Sequence, residues 1–348
     1  MLVKDLFSKK KKNKDKPFVI AEIGNNHKGS VTIAKKMFLA AKNSSADAVK
    51  LQKRSNKNLY TKDMYDQIYD HPNSYGKTYG LHRDFLEFNK KQYLELKNYA
   101  QKLKIEFLCT PFDFESVDFL ESINIKAYKI ASADLINIPL QKYIAKKNKP
   151  IFMSTGGGNF KDIERAYKNI IKYNKKLAIL HCTASYPANL NDMNLAVINE
   201  LKKKYKKINI GLSDHENGID AATIAYMLGA RVFEKHFTLD RSWKGTDHAF
   251  SLEPQGLSKM IRNLKRISLM IGSKNKQLLN SEKKPLLKMQ KSIYAKKEIK
   301  KGKKLTLEDL TLKSPGGGLK PYELNEVLNK ISKKDIYKEE MIKMIYLK

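Results

Sequence analysis

Ile208-Asn209-Ile210-Gly211-Leu212-Ser213-Asp214-His215 and, after one helix-length segment, Arg231-Val232-Phe233-Glu234-Lys235-His236 are the stretches that decide the fold. Each is an apolar run of strand length that ends in a histidine. Alternate side chains of a strand share a face, so Ser213 lies on the face of His215, and Glu234 on the face of His236. Two strands of this kind, side by side, would bring two imidazoles and a carboxylate together at their C-terminal ends.

This cluster is interpreted as a divalent-metal site. Mixed imidazole and carboxylate ligation with room for water suits Mn, Zn, Fe or Co, whereas Mg usually prefers oxygen ligands alone. For any one of these histidines, a core imidazole with satisfied hydrogen bonds is the alternative. Two histidines at equivalent positions, followed by Asp247 and His248 in a loop that contains Gly245, favour the functional interpretation.

Similar apolar runs occur upstream. In all there are eight, at residues 18–24, 47–52, 106–112, 127–132, 150–156, 177–183, 208–215 and 231–238. The connections between them can each hold a helix, and an amphipathic segment follows the last run at residues 257–271. Near-continuous hydrophobicity is typical of parallel strands covered by helices. The pattern predicts an α/β fold, a (β/α)8 TIM barrel. A doubly wound open sheet is the alternative, but no GxGxxG turn follows the first run.

Polar side chains end every one of these runs. They are Glu22, Lys50, Gln52, Thr110, Lys129, Ser132, Ser154, Thr183, Ser213, His215, Glu234 and His236. In such barrels the C-terminal face holds the active site. Lys50 and Lys129 stand out because each lies within an apolar strand, where an ammonium needs a partner. An ion pair or an anionic substrate would serve, and two lysines directed into one barrel mouth favour the substrate.

Two loops are candidates for further binding groups. The turn Ser154-Thr155-Gly156-Gly157-Gly158 could direct backbone N–H groups at a phosphate or carboxylate, although glycines placed for tight turning explain it equally well. Residues 54–89 form a long polar insertion rich in Tyr, Asn and Asp. Insertions of this length are commonly either covers over a functional site or disordered, and the aromatic residues favour order.

The charge of the chain bears on its partners. Lys and Arg number 68 against 36 Asp and Glu, a formal net charge of +32, which would ordinarily suggest nucleic acid or an acidic membrane. The excess is nearly all Lys, while Arg, which is expected where phosphate is bound bidentately, is rare. We therefore expect no nucleic-acid partner, and no membrane partner because no run approaches the ~20 apolar residues of a span. Cys109 and Cys182 lie inside apolar runs and are expected to be buried free thiols of a cytoplasmic protein.

Four segments are expected along the chain. Residues 1–16 include Lys9-Lys10-Lys11-Lys12-Asn13-Lys14 and have the composition of a disordered basic leader. Residues 17–272 form the barrel, and residues 273–291, polar and Lys-rich with Pro285, are expected to be a linker. Residues 292–348 suggest short strands and turns in a small domain. A core of that size is marginal alone, so this domain is expected to dock on a barrel.

With these features assembled, the chain resembles the sialic acid synthase family, the phosphoenolpyruvate-condensing enzymes that make N-acetylneuraminate or its close relatives. The stretches that carry the resemblance are Ala21-Glu22-Ile23-Gly24-Asn25-Asn26-His27, Val49-Lys50-Leu51-Gln52, Tyr128-Lys129-Ile130-Ala131-Ser132, His181-Cys182-Thr183-Ala184-Ser185-Tyr186-Pro187, Gly211-Leu212-Ser213-Asp214-His215, Glu234-Lys235-His236-Phe237-Thr238-Leu239-Asp240, Gly245-Thr246-Asp247-His248 and Ser251-Leu252-Glu253-Pro254. The tail is similar to the family's antifreeze-protein-like SAF domain.

The resemblance implies a metal-dependent condensation of phosphoenolpyruvate with an N-acylated mannosamine-type sugar, such as N-acetylmannosamine or its 6-phosphate. It implies that His215 and His236 bind a divalent cation, Mn or Mg, and that Glu22 and Asp247 steer water or protons. By the same resemblance, the substrates would contact Lys50, Gln52, Thr110, Lys129, Ser132, Ser154, Tyr186, Ser213 and Glu234. It further implies a homodimer in which the SAF domain caps the barrel of the partner subunit.

Two positions depart from the pattern of the family. Ser314 stands where bacterial members often place an Arg that reaches toward the N-acyl group of the sugar, with Lys313 beside it. Ala184 stands where some members carry a substrate-binding Asn. Residues 75–88 of the insertion and the stretch Leu239-Asp240-Arg241-Ser242-Trp243-Lys244 look closer to the branch that includes animal enzymes.

Two other functions compete with sialic acid synthesis. The same chemistry with another sugar would make the chain a legionaminate or pseudaminate synthase. A nucleic-acid-binding protein on a decayed enzyme scaffold is the alternative from a different class, suggested by the net charge. Polar residues at all eight strand ends count against decay.

Overall fold

The structure, a computed structural model, describes residues 1–8 and 15–348. The chain divides into two compact units, Met1–Gly272 and Ser273–Lys348. The run Lys9 to Lys14, part of the predicted basic leader, lies outside the described residues.

The first unit is built on a closed barrel of parallel strands in the order β1-β2-β3-β4-β5-β6-β7-β8. The strands are β1 (Phe18–Gly24), β2 (Ala48–Lys53), β3 (Glu106–Pro111), β4 (Tyr128–Ile130), β5 (Ile151–Ser154), β6 (Leu177–Cys182), β7 (Asn209–Asp214) and β8 (Val232–His236). Strand β8 pairs with β1 and closes the cylinder. The predicted (β/α)8 barrel is confirmed, and each strand lies within one of the predicted apolar runs except β2, which extends one residue beyond its run to Lys53.

Helices surround the barrel and fill the connections. They are α1 (Val3–Leu6), α2 (Val31–Asn43), α3 (Asn56–Leu59), α4 (Lys62–Asp66), α5 (Tyr79–Leu86), α6 (Lys90–Lys102), α7 (Phe114–Ser122), α8 (Ile138–Lys146), α9 (Phe160–Ile171), α10 (Val197–Lys204), α11 (Asp220–Leu228) and α12 (Pro254–Ile271). Several of these helices have a polar N-cap residue. At the start of α9, for example, the side chain of Asn159 accepts from the backbone N–H of Asp162. The apolar faces of α2 and of α6 to α12 pack on the outside of the barrel.

The interior of the barrel has two halves of opposite character. At the N-terminal half the inward side chains form one apolar cluster, made by Phe18, Ile20, Ala48, Leu108, Ala127, Phe152, Ala178, Leu180 and Val232. Two residues further along their strands, the inward positions become charged or polar. The strand register sets Glu22 beside both Lys50 and His236, and Ser213 beside Glu234. The alternation of each strand therefore places an apolar floor beneath a polar layer.

The start of the chain differs from the expected disordered leader. Residues 3–6 form helix α1, and Val3, only 3% exposed, packs into the apolar cluster at the bottom of the barrel. The ring of Phe7 meets that of Phe152 edge-on, with 5.8 Å between centroids. Asp15 also has a place, because its carbonyl accepts from Tyr226 Oη at 2.6 Å. Burial of a few apolar side chains orders these residues although the flanking sequence is strongly basic.

The second unit contains a two-stranded antiparallel sheet, β9 (Ser292–Ala295) with β10 (Leu310–Lys313), and its own small core. The core residues are Ile293, Ala295, Ile299, Leu305, Leu310, Val327, Ile336, Ile342 and Leu347. Helices α13 (Asn280–Met289) and α14 (Leu324–Val327) belong to this unit. Most of the expected linker is thus helix α13, with Pro285 inside it. The predicted small C-terminal domain is confirmed.

No helix in the described part of the chain is both long enough and apolar enough to cross a membrane. Cys109 and Cys182 are buried free thiols.

Candidate active site

One large cavity opens at the C-terminal ends of the barrel strands. Its volume of about 790 Å³ falls in the usual range for sites that bind small molecules, roughly 300–1,000 Å³. Every residue predicted to act in the site lines this cavity: Glu22, Lys50, Gln52, Thr110, Lys129, Ser132, Ser154, Tyr186, Ser213, His215, Glu234, His236 and Asp247. The structure therefore brings the whole predicted set together, while the role of each residue stays a prediction.

Two lysines and two glutamates form a buried charge network at the base of the cavity. Lys50 Nζ lies 2.7 Å from Glu22 Oε2 and 3.7 Å from Glu234 Oε1. Lys129 Nζ lies 3.1 Å from the same Glu234 oxygen. Lys50 Nζ also donates to Thr110 Oγ1 at 2.8 Å. The sequence left open whether the two lysines pair with carboxylates or bind an anionic substrate. The ion pairs are present, and both lysines also line the cavity.

The two glutamates of this network respond differently to burial. Burial raises the pKa of Glu22 to about 7, although the nearby ammonium of Lys50 opposes the change. Burial acts in the same direction on Glu234, but the charges of Lys129 and Lys50 outweigh it and the pKa of Glu234 falls. Glu234 is therefore the fixed negative charge between the two lysines. Glu22 is the carboxyl that can gain or lose a proton near neutral pH.

His215 and His236 face each other with 5.4 Å between ring centroids. Burial lowers the pKa of His215 to about 4 and that of His236 to about 3, so both rings are neutral near pH 7. His215 Nδ1 lies 2.8 Å from the carbonyl oxygen of Thr183 and donates to it, which leaves the lone pair on Nε2. His236 Nδ1 is buried without a hydrogen-bond partner among the described residues, 3.7 Å from Asp247 Oδ2.

These features test whether the residues suit a divalent cation. Neutral imidazoles with free lone pairs, next to a carboxylate, form a donor set that such ions accept. Across residues 1–8 and 15–348, however, no three His, Cys, Asp or Glu side chains are gathered as a set that could hold a metal ion. The two histidines thus fit an open site, in which water or substrate oxygens must complete the coordination.

Aromatic side chains form one wall beside the histidines. The ring of Tyr186 lies 4.2 Å from that of His215, centroid to centroid, and its side chain is 55% exposed. The buried ring of Phe250 meets His236 edge-on at 5.0 Å. Phe250 therefore covers one side of His236, and Tyr186 is available to a ligand.

The glycine-rich turn after β5 forms another part of the cavity lining. Gly156 N donates to Ser132 Oγ at 3.1 Å, and a Cβ added at Gly156 would lie 2.8 Å from that oxygen. Ser154 Oγ is buried with no partner in the described chain. The close approach explains the glycine at 156, and the free hydroxyl of Ser154 is available to a bound anion.

The long insertion is ordered, as its aromatic residues indicated. Tyr75 stacks on Phe85 at 4.9 Å between centroids, and its hydroxyl donates to the carbonyl oxygen of Lys244. Gly245 N donates to Asn73 Oδ1 at 3.0 Å. These bonds attach the insertion to the loop that carries Asp247, and the insertion thereby becomes a wall of the cavity.

Sequence reasoning missed several residues that line the cavity. From the insertion come Arg54, His71, Asn73 and Arg83, and from elsewhere Asn25, Phe112, Leu135 and Thr246. One signal was present for the two arginines. Arg is rare in this Lys-rich chain, and these two lie in the insertion that was a candidate cover for the site.

Comparison with known proteins adds to this geometry. Residues 37–276 match the NeuB family and residues 290–344 match the SAF domain. N-acetylneuraminate-9-phosphate synthase of Mus musculus is 39% identical over 317 residues, which are 91% of this chain and 88% of the mouse protein. N,N'-diacetyllegionaminic acid synthase of Campylobacter jejuni is 39% identical over 334 residues, 94% of this chain and 99% of that protein. The crystal structure of N-acetylneuraminic acid (sialic acid) synthetase from Leptospira borgpetersenii, in complex with citrate, gives a TM-score of 0.68 at 33% identity, covering 78% of this chain and 91% of that one.

Proposed function

Because this chain belongs to the NeuB family, we propose that it condenses phosphoenolpyruvate with the open-chain form of an N-acylated mannosamine-type sugar and releases phosphate. One observation carries the proposal. Two buried ammonium groups, two neutral imidazoles and a carboxyl with a pKa near 7 line a single cavity. That combination suits a reaction between an anionic enol phosphate and an aldehyde.

The inner cations would bind phosphoenolpyruvate. Lys50 and Lys129 supply positive charge, and the buried hydroxyl of Ser154 is a free hydrogen-bond donor. Thr110, Ser132 and Ser213 surround them in the same cavity. Held there, the phosphate and carboxylate of the substrate fix the orientation of its reactive carbon, an effect worth several kcal/mol in a bimolecular step.

His215 and His236 would hold a divalent cation, Mn or Mg, whose chemistry when bound is Lewis-acid polarisation of the aldehyde oxygen. The protein's own contribution is to keep both imidazoles deprotonated by burial and to turn the lone pair of His215 onto Nε2. Asp247 and Tyr186 line the cavity beside them and would contact the sugar.

The reaction balances as follows. The methylene carbon of phosphoenolpyruvate forms a bond to the aldehyde carbon, and the aldehyde oxygen becomes a hydroxyl by gaining a proton. Water adds to the positively charged C2 of the pyruvyl unit and gives up a proton, for which Glu22 is the acceptor. The C2–O bond to phosphate then breaks as the new C2 hydroxyl becomes the ketone, and the proton of that hydroxyl leaves with the phosphate. The proton that Glu22 accepts from water balances the one that the aldehyde oxygen gains. With its pKa raised to about 7, Glu22 is well matched to this task at neutral pH. Gln52 Nε2 donates to Glu22 Oε1 at 2.9 Å and holds that carboxyl in place.

The quaternary arrangement is part of the proposal. A homodimer in which each SAF domain caps the partner's barrel would complete the sugar site. Analytical ultracentrifugation of the full chain tests this part, and a monomer at micromolar concentration with full activity would contradict it.

A second candidate within the same chemistry is the synthesis of legionaminic or pseudaminic acid, because relatives of both kinds match the chain. The experiment is to incubate the protein with phosphoenolpyruvate and each candidate sugar, with and without Mn²⁺, and to measure released phosphate and product mass. We expect sugar-dependent phosphate release with a product equal in mass to both substrates plus water less phosphate. Absence of release with every sugar in the presence of metal would refute the proposal.

A further inference from the structure

Two arginines in the long insertion line the cavity and have no role in the reaction as proposed. Arg54 follows strand β2 and is only 8% exposed, and Arg83 lies on helix α5. In residues 1–8 and 15–348 neither guanidinium forms an ion pair with a carboxylate. The nearby carboxylate of Glu87 pairs instead with Lys53 Nζ at 2.7 Å and accepts from the backbone N–H of Arg54 at 3.1 Å.

The immediate contacts of both guanidiniums are neutral. Arg54 Nη2 donates to Gln52 Oε1 at 2.7 Å, and its Cζ lies 3.8 Å from the centroid of Phe112. Arg83 Nε donates to Tyr79 Oη at 3.1 Å. Burial lowers the pKa of Arg54, and the positive charge of Arg83 lowers it further. Two guanidiniums that line one cavity with only neutral hydrogen-bond partners are costly unless an anion joins them.

Their position distinguishes them from the inner lysines. The amide of Gln52 bridges two side chains: its Nε2 donates to Glu22 Oε1, and its Oε1 accepts from Arg54 Nη2. Arg54 is therefore connected to the proposed proton acceptor, Glu22, through this amide. Arg83 lines the same cavity as Asp247. Its neighbour His82 accepts through Nδ1 from the backbone N–H of Tyr75, and the Tyr75 hydroxyl bonds to the loop that carries Asp247. The arginines therefore lie on the side of the cavity assigned to the sugar, whereas Lys129 and Ser154 serve phosphoenolpyruvate from strands β4 and β5.

We infer that Arg54 and Arg83 form a second anion subsite, which binds a phosphate monoester carried by the acceptor sugar at the end far from its aldehyde. Guanidinium groups donate paired hydrogen bonds that match the oxygens of a phosphate, and a dianion would neutralise both charges at once. The favoured acceptor is then the 6-phosphate of the N-acylated mannosamine. This inference rests on the proposed condensation and adds the substrate class to it.

The test is a selectivity ratio. We would measure kcat/KM with N-acetylmannosamine 6-phosphate and with N-acetylmannosamine, at saturating phosphoenolpyruvate and Mn²⁺, following product mass. The wild-type protein is expected to prefer the phosphorylated sugar. Arg54→Gln and Arg83→Gln are each expected to lower the ratio of the two values about 10- to 100-fold, the usual effect of losing one hydrogen bond to a charged group. Arg83→Lys, which keeps the charge, is expected to restore part of the ratio.

The matched control is Arg165→Gln on helix α9, whose guanidinium pairs with Asp162 at the surface, 58% exposed. That variant is expected to leave the ratio and the activity unchanged. Because a ratio cancels general damage to the fold, a purely structural role of either arginine would lower both values together, and this outcome would overturn the inference. A rise in KM for phosphoenolpyruvate with both sugars would also overturn it, since the arginines would then bind the other phosphate.

The two proposals fail in different ways. If the protein condenses the free sugar at least as well as its 6-phosphate, the inference fails and the proposed function stands. If neither sugar, nor any other aldose, gives phosphate release in the presence of metal, the proposed function fails and the inference fails with it.

Discussion

The two halves of the barrel interior are built from the same strands, yet they have opposite compositions. Below, Ile20, Ala48 and Val232 belong to an apolar cluster, and two residues further along the same strands the inward side chains are Glu22, Lys50 and Glu234. The lower half gains free energy from burial, at roughly 25 cal/mol per Å² of apolar surface. The upper half places charges in a buried setting, which costs free energy unless they are paired. Stability and chemistry are therefore assigned to different layers of one structure.

The largest expected effect comes from the upper layer. His236→Ala removes one of the two imidazoles that face each other across the cavity. We expect kcat/KM for metal-dependent phosphate release to fall about 10⁴-fold or more, because Lewis-acid polarisation contributes several kcal/mol. The free energy of unfolding is expected to change little. The matched control is His181→Ala, a strand histidine whose Nε2 contacts the carbonyl oxygen of Met193 away from the cavity. Activity of His236→Ala within tenfold of wild type would remove the metal assignment.

Glu22→Gln also tests the upper layer, because it removes a proton acceptor while keeping the shape of the side chain. We expect kcat/KM to fall about 10²- to 10⁴-fold, the usual range for general base catalysis. Burial raises the pKa of Glu22 to about 7, and the base is active when deprotonated, so wild-type kcat/KM should rise as the pH increases through about 7. The pH profile of the variant should lack that rise. A profile of unchanged shape would assign the proton acceptor elsewhere.

Phe152→Ala tests the lower layer. Its ring stacks on Phe18 with 5.9 Å between centroids and is fully buried. Truncation should leave a cavity and lower the free energy of unfolding by about 3–5 kcal/mol. Urea unfolding can be followed by the fluorescence of Trp243, the single tryptophan of the chain, which lies in the first unit. Phosphate release per folded molecule should stay near wild type, and a loss like that of His236→Ala would show that the two layers are not separable.

The smallest effect is expected where the N-terminal residues join the lower layer. Val3→Ala deletes two buried methyl groups and should lower the free energy of unfolding by about 1–2 kcal/mol. Leu2→Ala is the matched control, since Leu2 is 43% exposed and its truncation should cost less than about 0.5 kcal/mol. Equal effects of the two substitutions in the urea titration would mean that Val3 does not pack beneath the barrel in solution.

The barrel and the members of the site followed from the sequence because strand periodicity fixes both. Because alternate side chains of a strand share a face, Glu234 and His236 must point the same way. Closure of the sheet into a barrel then brings the ends of all eight strands around one cavity. The parts that did not follow depend on tertiary docking. Helices α1 and α3 are each four residues long, too short for any periodic signal. Helix α1 is held by burial of Val3 in the apolar cluster of the barrel, and helix α3 by the bond that Asn56 Nδ2 donates to Asp84 Oδ1 of helix α5. Arg54 and Arg83 belong to an insertion without a repeat, so their position was set by contacts that no local pattern encodes.

The attachment of the insertion to the loop after β8 has a kinetic consequence. Two hydrogen bonds join these segments, from the Tyr75 hydroxyl to the carbonyl oxygen of Lys244 and from Gly245 N–H to Asn73 Oδ1, across about 170 residues of sequence. A condensation product is bulkier than either of its precursors and must leave past this wall. Product release should therefore be slower in viscous solvent and faster in Tyr75→Phe, which lacks the hydroxyl. The two hydrogen bonds between the insertion and the loop after β8 would then limit the turnover rate, although they contact no reacting atom.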